Sequence, residues 1–451
     1  MKDFKCLVVH TPKLYRKNGK LVSDINYCAM GLFSLAGELN KDGFDTKIIH
    51  LGIEKYLNKD FSIVDYIKEN NIKFVAFSLH WHQTAYDVIE TARVIKENCP
   101  NIFISLGGYT SSFFAEEIME KFPYIDAVIK GEGEIPIKQL AQAVYENMPL
   151  GSIPNIYWRK DGVILFNDNM YVATNEDLNN FEFFNPERMI HYKEYSKVPM
   201  TLEYSKPNQL TNTITEQGVC LGRGCYGNCA WCGGGYLSGK TLSGRNALSY
   251  RNAENVISEI KKLKEEYNFE YFRFSFDSNP IDRSYLVDLF NKIAQTFNGE
   301  INAIYNIDGL PDKTFLDAFQ KAFSNKSILQ LSPVIKNEEL RKKYKSFFYT
   351  NKQLEETLDY MEKIGITTKL YFSEIPGVKK QENDDSKKYG EYLKNKYKSV
   401  KEVYNYPITI EPASPWTYNP KKYNLKYIPK KFIDYYNETK AVTKSFANSS
   451  F

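Results

Sequence analysis

The sequence predicts an α/β protein in two parts: a doubly wound parallel sheet, then a partial (β/α)6 barrel with a C-terminal extension. Three observations carry this. Short β-branched runs alternate with amphipathic helical segments along almost the whole chain. The runs are continuously apolar rather than alternating, as strands buried on both faces must be. At 451 residues the chain exceeds what one compact core can serve.

The first strand is "FKCLVVH", followed by a helix near 28–41, the strand "TKIIH", a helix near 61–69 and the strand "KFVAFSL". A helix near 83–97 puts Val88, Ala92 and Ile95 on one face, and "NIFISL", a helix near 113–121, "IDAVIK" and a helix from about 134 complete five β–α units. Ligands of such sheets sit beyond the carboxyl ends of the strands. Those ends carry "SLHWHQT" (78–84), "GGYTSS" (107–112) and "GEGE" (131–134). If the third strand runs on to its end, His80 and His82 share a face and Trp81 takes the other.

Residues 1–147 form this first domain and 148–205 a connecting segment, in which "NIYWRKDGVILFND" reads as a hairpin turning at Asp161-Gly162. No low-complexity linker separates the parts, so the two domains are expected to pack. The barrel, 206–412, follows as "NAENVISEIKKLKEEY", "FEYFRFSFDSNP", a helix 281–295, "EINAIYNI", a helix 312–323, "SILQLSP", a helix 351–363, "ITTKLYFSEIPG", a helix near 384–397 and "EVYNYPITIEP". The extension is 413–451, and its lysine- and tyrosine-rich part from 418 is expected to cover the barrel bottom or mouth.

A formal charge of +4 is nearly balanced, so charge does not suggest a nucleic-acid partner. No apolar run approaches the roughly 20 residues needed to span a bilayer, and the N-terminus lacks the apolar stretch of a secretory signal, so the chain reads as cytoplasmic. Seven cysteines in such a chain argue for reduced thiols with metal or redox chemistry rather than a disulfide framework. Cys6, Cys28 and Cys99 lie alone among apolar residues and read as core thiols.

The other four sit in "CLGRGCYGNCAWCGGG", where Cys225, Cys229 and Cys232 read C-x-x-x-C-x-x-C. Zinc wants four ligands in two pairs, and no second pair follows. Three thiolates can hold three irons of a 4Fe-4S cluster and leave the fourth open. Set between a strand and a βα series, this loop resembles the signature of the radical S-adenosylmethionine (SAM) enzymes. The resemblance implies that the open iron chelates SAM and that one electron cleaves it to a 5′-deoxyadenosyl radical. By the same resemblance Trp231 lies near the adenine, and Gly233 with Gly234 and Gly235 makes room for the cofactor. Asp277 and Ser278 in "FSFDSNP" match a site contacting the SAM amino group, and Ser332 in "LQLSPVIKNEEL" survives from a usual Gly-x-Glu-Ser. Cys220 lies outside the motif as a strand thiol.

"CAMGLFSLAGELNKDGFDTKIIHLG" and "LGGYTSSFFAEEIMEKFPYIDAVIKGEGEIPIKQL" resemble the Rossmann-like cobalamin-binding domain at the N-terminus of many radical SAM enzymes of the class B methylase type. The resemblance implies that Gly107, Gly108, Gly131, Glu132 and Gly133 line the pocket for the nucleotide tail, although glycines there also serve tight βα turns. By the same resemblance the loop of Ser78, His80, Trp81 and His82 approaches the cobalt face, each histidine as a ligand or as a hydrogen-bonded loop residue and Trp81 as a shield of that face. The Asp-x-His cobalt motif of other cobalamin domains is absent from the chain.

The implied function is cobalamin-dependent methylation of an unactivated carbon of a small metabolite, with flavodoxin or ferredoxin as electron donor. The alternatives are a radical rearrangement, cyclisation, dehydrogenation or epimerisation without methyl transfer, and, behind these, a non-enzymatic cobalamin or redox sensor.

Overall fold

A computed structural model describes residues 2–24, 30–195, 197–198, 201–203, 216–276 and 279–442. Cys28, Asp277 and Ser278 lie outside the described residues.

Five apolar runs pair in parallel in the order Asp45–His50, Lys5–His10, Ile72–Ser78, Phe103–Gly107, Ala127–Ile129. The order reverses beside the first strand, which opens a crevice at the carboxyl edge. The hairpin Ile156–Lys160 and Val163–Phe166 turns at Asp161 and Gly162, with φ of 49° and 80°. It pairs antiparallel with Ala127–Ile129, so the sheet has seven strands. The helix expected near 113–121 starts earlier and is broken at Phe114 into Tyr109–Phe113 and Ala115–Lys121.

The second sheet runs Glu216–Val219, Tyr271–Phe274, Asn302–Ile307, Ile328–Val334, Thr367–Glu374, Val400–Pro407, each strand parallel to its sequence neighbour. That is a six-stranded partial barrel, with helices such as Ala253–Tyr267 packing Val256, Ile260 and Leu263 against its outer face. Asn147, Asn268 and Asn298 close their helices in the left-handed conformation, a place more often taken by glycine. One apolar core is continuous through both domains, from Leu32 and Phe33 to Phe184, Phe269 and the barrel helices, so the two parts are packed together.

The extension corrects one expectation. The stretch around Trp416 and Tyr423 does pack beside the cysteine loop, but the helix Phe432–Val442 crosses back to the first domain. Phe432 and Tyr435 bury against Phe114, and the N–H groups of Phe432 and Ile433 donate to the Glu117 carboxylate at 2.7 and 3.2 Å. An apolar pair at i, i+3 gives this helix its stripe, and a carboxylate from another domain satisfies its first donors.

His82 packs under that helix, its ring 4.8 Å from Tyr435. Burial holds its imidazole down to about 4. An unfolded histidine takes up its proton near pH ~6.5. Between about 6.5 and about 4 the unfolded chain therefore binds the extra proton, and stability falls as pH drops through that window and levels off below it. His82→Phe is expected to lose less unfolding free energy than the parent between about pH 7 and about pH 5 in denaturant titrations; equal losses would contradict the burial argument.

Candidate active site

The strands Ile72–Ser78 and Phe103–Gly107 end side by side, and the loops after them are tied together. Thr110 donates to the His80 carbonyl through its N–H (3.2 Å) and its Oγ1 (2.9 Å). Gly108 has φ of +110°, and a Cβ there would stand 2.7 Å from the His80 Cα, so the loop contact itself demands glycine. Gly107 differs: nothing lies within 4 Å of where its Cβ would be, and it opens on a cavity of about 690 Å³.

That cavity is shared by both domains. Ser78, His80, Trp81, Gly107, Gly108, Gly131, Glu132 and Gly133 line one end, over an apolar wall of Val8, Leu35, Ile129 and Ile137. Cys225, Cys232, Gly234 and Gly235 line the other, with Arg273 and Asp308 from the tops of barrel strands. The volume lies in the range of small-molecule and cofactor sites.

Several residues are placed otherwise than the sequence suggests. The third strand stops at Ser78, so His80 and Trp81 both line the cavity while His82 turns away to Tyr435; the two histidines do not share a face. Trp231 points to a satellite core against Trp416, at 6.4 Å, and is not part of the cavity wall. The Gly233 N–H donates to Glu411 at 2.7 Å, and a Cβ there would come within 2.5 Å of the Pro412 carbonyl. Ser332 sits at a bulge between Leu331 and Val334, outside the lining. Cys220, by contrast, follows the strand Glu216–Val219 directly, as a thiol outside the motif was expected to; it is buried beside Phe181 and Phe183, and burial pushes its thiol up to about 11.

Glu132 and Glu134 hold the domains together. Arg245 grips Glu132 through Nε (2.5 Å) and Nη2 (3.0 Å), and Arg223 reaches Glu132 and Glu134 through Nη1, both at 3.1 Å, and Glu134 again through Nη2. Ser34 Oγ donates to Glu134 at 2.7 Å, and Ala173 N–H to Glu132 at 2.9 Å. Burial works against the Glu134 charge, yet Arg223 keeps its carboxyl below the usual range. Gly131, with φ of +85°, lets the backbone close to where a Cβ would stand 2.8 Å from the Ser243 Cα across the junction. Sequence reasoning missed Arg223 and Arg245; they flank the cysteine motif but form no local pattern.

Each motif thiol accepts a backbone N–H: Cys225 from Gly227 (3.2 Å), Cys232 from Gly234 (3.3 Å), Cys229 from Ser346 (3.4 Å). Donors to sulfur tune iron–sulfur clusters. Burial pushes the Cys229 and Cys232 thiols up, so metal uptake must displace their protons. Among the described residues no three His, Cys, Asp or Glu side chains converge on a single ion; cubane thiolates need no such point, since each faces its own iron. Three thiolates with N–H donors on one loop fit a 4Fe-4S cluster. The corrinoid end fits its cofactor as well: the buried Ser105 Oγ lacks a hydrogen-bond partner among the described residues, beside the open space at Gly107.

Removing one partner of a buried pair leaves a charge uncompensated at a cost of about 3 kcal/mol. Arg245→Met is therefore expected to destabilise the protein by about that amount, and Glu132→Gln with Arg245→Met together by clearly less than their sum. Additive losses in chemical unfolding would show that the pair is not coupled.

Residues 24–141 match the family model described as "B12 binding domain", and residues 219–392 the model of the radical SAM superfamily. An uncharacterised methyltransferase of Pyrococcus horikoshii is 26% identical over 210 residues, 47% of this chain and 41% of the relative. The hopanoid C-3 methylase of Methylococcus capsulatus is 23% identical over 242 residues, 52% of this chain and 40% of the relative. The chain thus matches less than half the length of either. Among solved structures, the radical SAM methyltransferase TsrM of Kitasatospora setae, with cobalamin and a 4Fe-4S cluster bound, superposes with a TM-score of 0.67 at 14% identity over 91% of this chain and 77% of its own, a likeness of fold. The chain thus carries a segment of the B12-binding family, residues 24–141, followed by one of the radical SAM superfamily, residues 219–392.

Proposed function

We propose that this protein is a cobalamin-dependent radical SAM methyltransferase acting on an unactivated carbon of a small molecule. The carrying observation is the single cavity that reaches from the carboxyl edge of the first sheet to the cysteine loop. When bound, the cluster with SAM supplies the 5′-deoxyadenosyl radical and cobalamin the methyl group. Both must meet one substrate carbon, and a shared cavity provides that proximity. Methyltransferases among the relatives support the same reading.

In this reading Cys225, Cys229 and Cys232 give up their protons and hold the cluster, oriented by the N–H donors of Gly227, Ser346 and Gly234. Gly234 leaves space beside Cys232 for SAM, while Gly235 lets the loop close on the Gly227 carbonyl, 2.7 Å from where its Cβ would stand. Ser105 Oγ is positioned to hydrogen-bond the corrinoid tail, and His80 with Trp81 closes the cavity next to it. The ion-paired junction of Glu132, Glu134, Arg223 and Arg245 seals the flank of the cavity against water. Electrons come from a low-potential carrier, flavodoxin or ferredoxin, in the cytoplasm. Among the described residues no helix is long and apolar enough to cross a membrane.

Anaerobically loaded protein given SAM with a deuterated methyl group is expected to release 5′-deoxyadenosine and a product carrying the label. SAM cleavage with an unlabelled product would replace methylation by another radical reaction. Cys225→Ala, Cys229→Ala and Cys232→Ala should each abolish 5′-deoxyadenosine release and lower bound iron, whereas Cys220→Ala should retain both.

A further inference from the structure

Behind the cysteine loop lies a small core of its own. Ala230 and Trp231 pack there with Tyr344, Val378, Trp416 and Tyr423, residues from three segments far apart in sequence. Each segment carries an exposed lysine pair beside its core residue: Lys342 and Lys343 before Tyr344, Lys379 and Lys380 after Val378, Lys421 and Lys422 before Tyr423. The segments touch: the Tyr344 and Tyr423 rings are 5.7 Å apart, and a Cβ on Gly377 would come within 3.0 Å of the Tyr423 and Asn424 carbonyls. None of the six lysines is ion-paired with a described residue. Nearby, Glu338 accepts from the Asn351 N–H and Glu382 from Asn337, which leaves Glu339 as the exposed carboxylate of that helix. A chain of net charge +4 thus sets six exposed lysines, none ion-paired with a described residue, next in sequence to the residues of one small core, with Glu339 and Asp384 the exposed carboxylates on the same two helices.

That spot adjoins the cluster loop. The segment after Lys343 supplies the Ser346 N–H to the Cys229 sulfur at 3.4 Å, the Ser346 Oγ to the Asn228 N–H at 2.7 Å and the Tyr344 carbonyl to the Ala230 N–H at 2.7 Å. Phe347 is held at φ of +58°, rare for a bulky side chain, with its ring edge against Gly227, where a Cβ would stand 2.9 Å away. Phe348 beside it is 43% exposed. An exposed aromatic two residues from a backbone N–H that bonds a cluster ligand, in the segment that follows Lys342 and Lys343, is an entry point for charge.

We infer that this lysine-bearing face is the docking surface for an acidic, low-potential one-electron carrier protein. The inference rests on the radical SAM reading and names its partner surface. The carrier loses one electron and the cluster gains it; no covalent bond in this chain forms or breaks. Redox encounters of this kind use small interfaces, and complementary charge raises the encounter rate. Flavin and iron–sulfur carriers share this chemistry and are told apart by testing one of each.

The test compares loaded parent protein with Lys342→Glu, Lys343→Glu, Lys421→Glu and Lys422→Glu combined, and with Lys68→Glu and Lys73→Glu combined as a control on the first domain. With reduced flavodoxin or reduced ferredoxin, the fourfold variant should lose about tenfold or more in cluster reduction rate and in carrier affinity, with a flatter salt dependence, while the control keeps parent values. Driven by dithionite, all three should release 5′-deoxyadenosine alike. Absence of dithionite-driven release in the parent would sink the radical SAM reading itself. Unchanged carrier kinetics and affinity in the fourfold variant would overturn the docking surface alone. So would unchanged carrier kinetics together with lost binding to phosphatidylglycerol vesicles, which would reassign the face to a membrane. If the fourfold variant fails to load iron, the corresponding lysine-to-alanine set carries the same comparison.

Discussion

Two carboxylates at the edge of the first sheet meet two guanidinium groups flanking the cysteine loop, and this buried cluster sets where the halves of the site stand relative to each other. Glu132 and Glu134 lie at and just before the start of a helix whose inner face belongs to the first-domain core. Arg223 and Arg245 bracket the cysteines. Taking four charges out of water is costly, and the arrangement holds because nearly every lone pair is met, by Ser34, Ala173 and the arginines themselves. Hydrophobic packing joins the domains over a wider area but is not directional. The ion pairs supply the direction, turning the carboxyl edge of one sheet toward the loop of the other.

The glycines then acquire separate meanings. Gly108 serves a contact between loops, Gly131 a contact between domains, and Gly107 alone leaves open room. A sequence shows only that all three lack a side chain. On the cluster side, the three thiols are oriented by donors from within the loop and, for Cys229, from the segment 344–348 of the barrel. The loop is thus tied to the barrel wall on one flank and to the first domain on the other, which limits how far the ligands can stray without metal.

Much of the fold was legible because its signals are local. Continuous apolar runs marked the parallel strands, and the Asp161-Gly162 turn marked its hairpin. The hairpin Leu14–Lys17 and Lys20–Asp24 escaped notice although Asn18-Gly19 is a strong turn signal, because its short strands are charged and the second pairs with Thr201–Glu203 far along the chain. The cysteine spacing disclosed the cluster loop for the same reason: ligands on one short segment are visible in one dimension. The ion-pair junction was not visible, since Glu132 finds Arg245 only through the tertiary fold. His82 was misplaced by assuming an extended strand where a 3-10 turn begins. Only the last helix of the tail, Phe432–Val442, was misplaced, because its apolar stripe says that it docks and not where.

The central claim is that corrinoid and cluster occupy one cavity. The direct measurement is electron paramagnetic resonance of protein loaded with both cofactors and reduced so that cobalt and cluster are each paramagnetic. A shared cavity predicts that the two signals relax and broaden one another, and that Arg223→Ala with Arg245→Ala, which loosens the junction, weakens this coupling. Two independent signals in the parent, identical to those of protein carrying each cofactor alone, would contradict it.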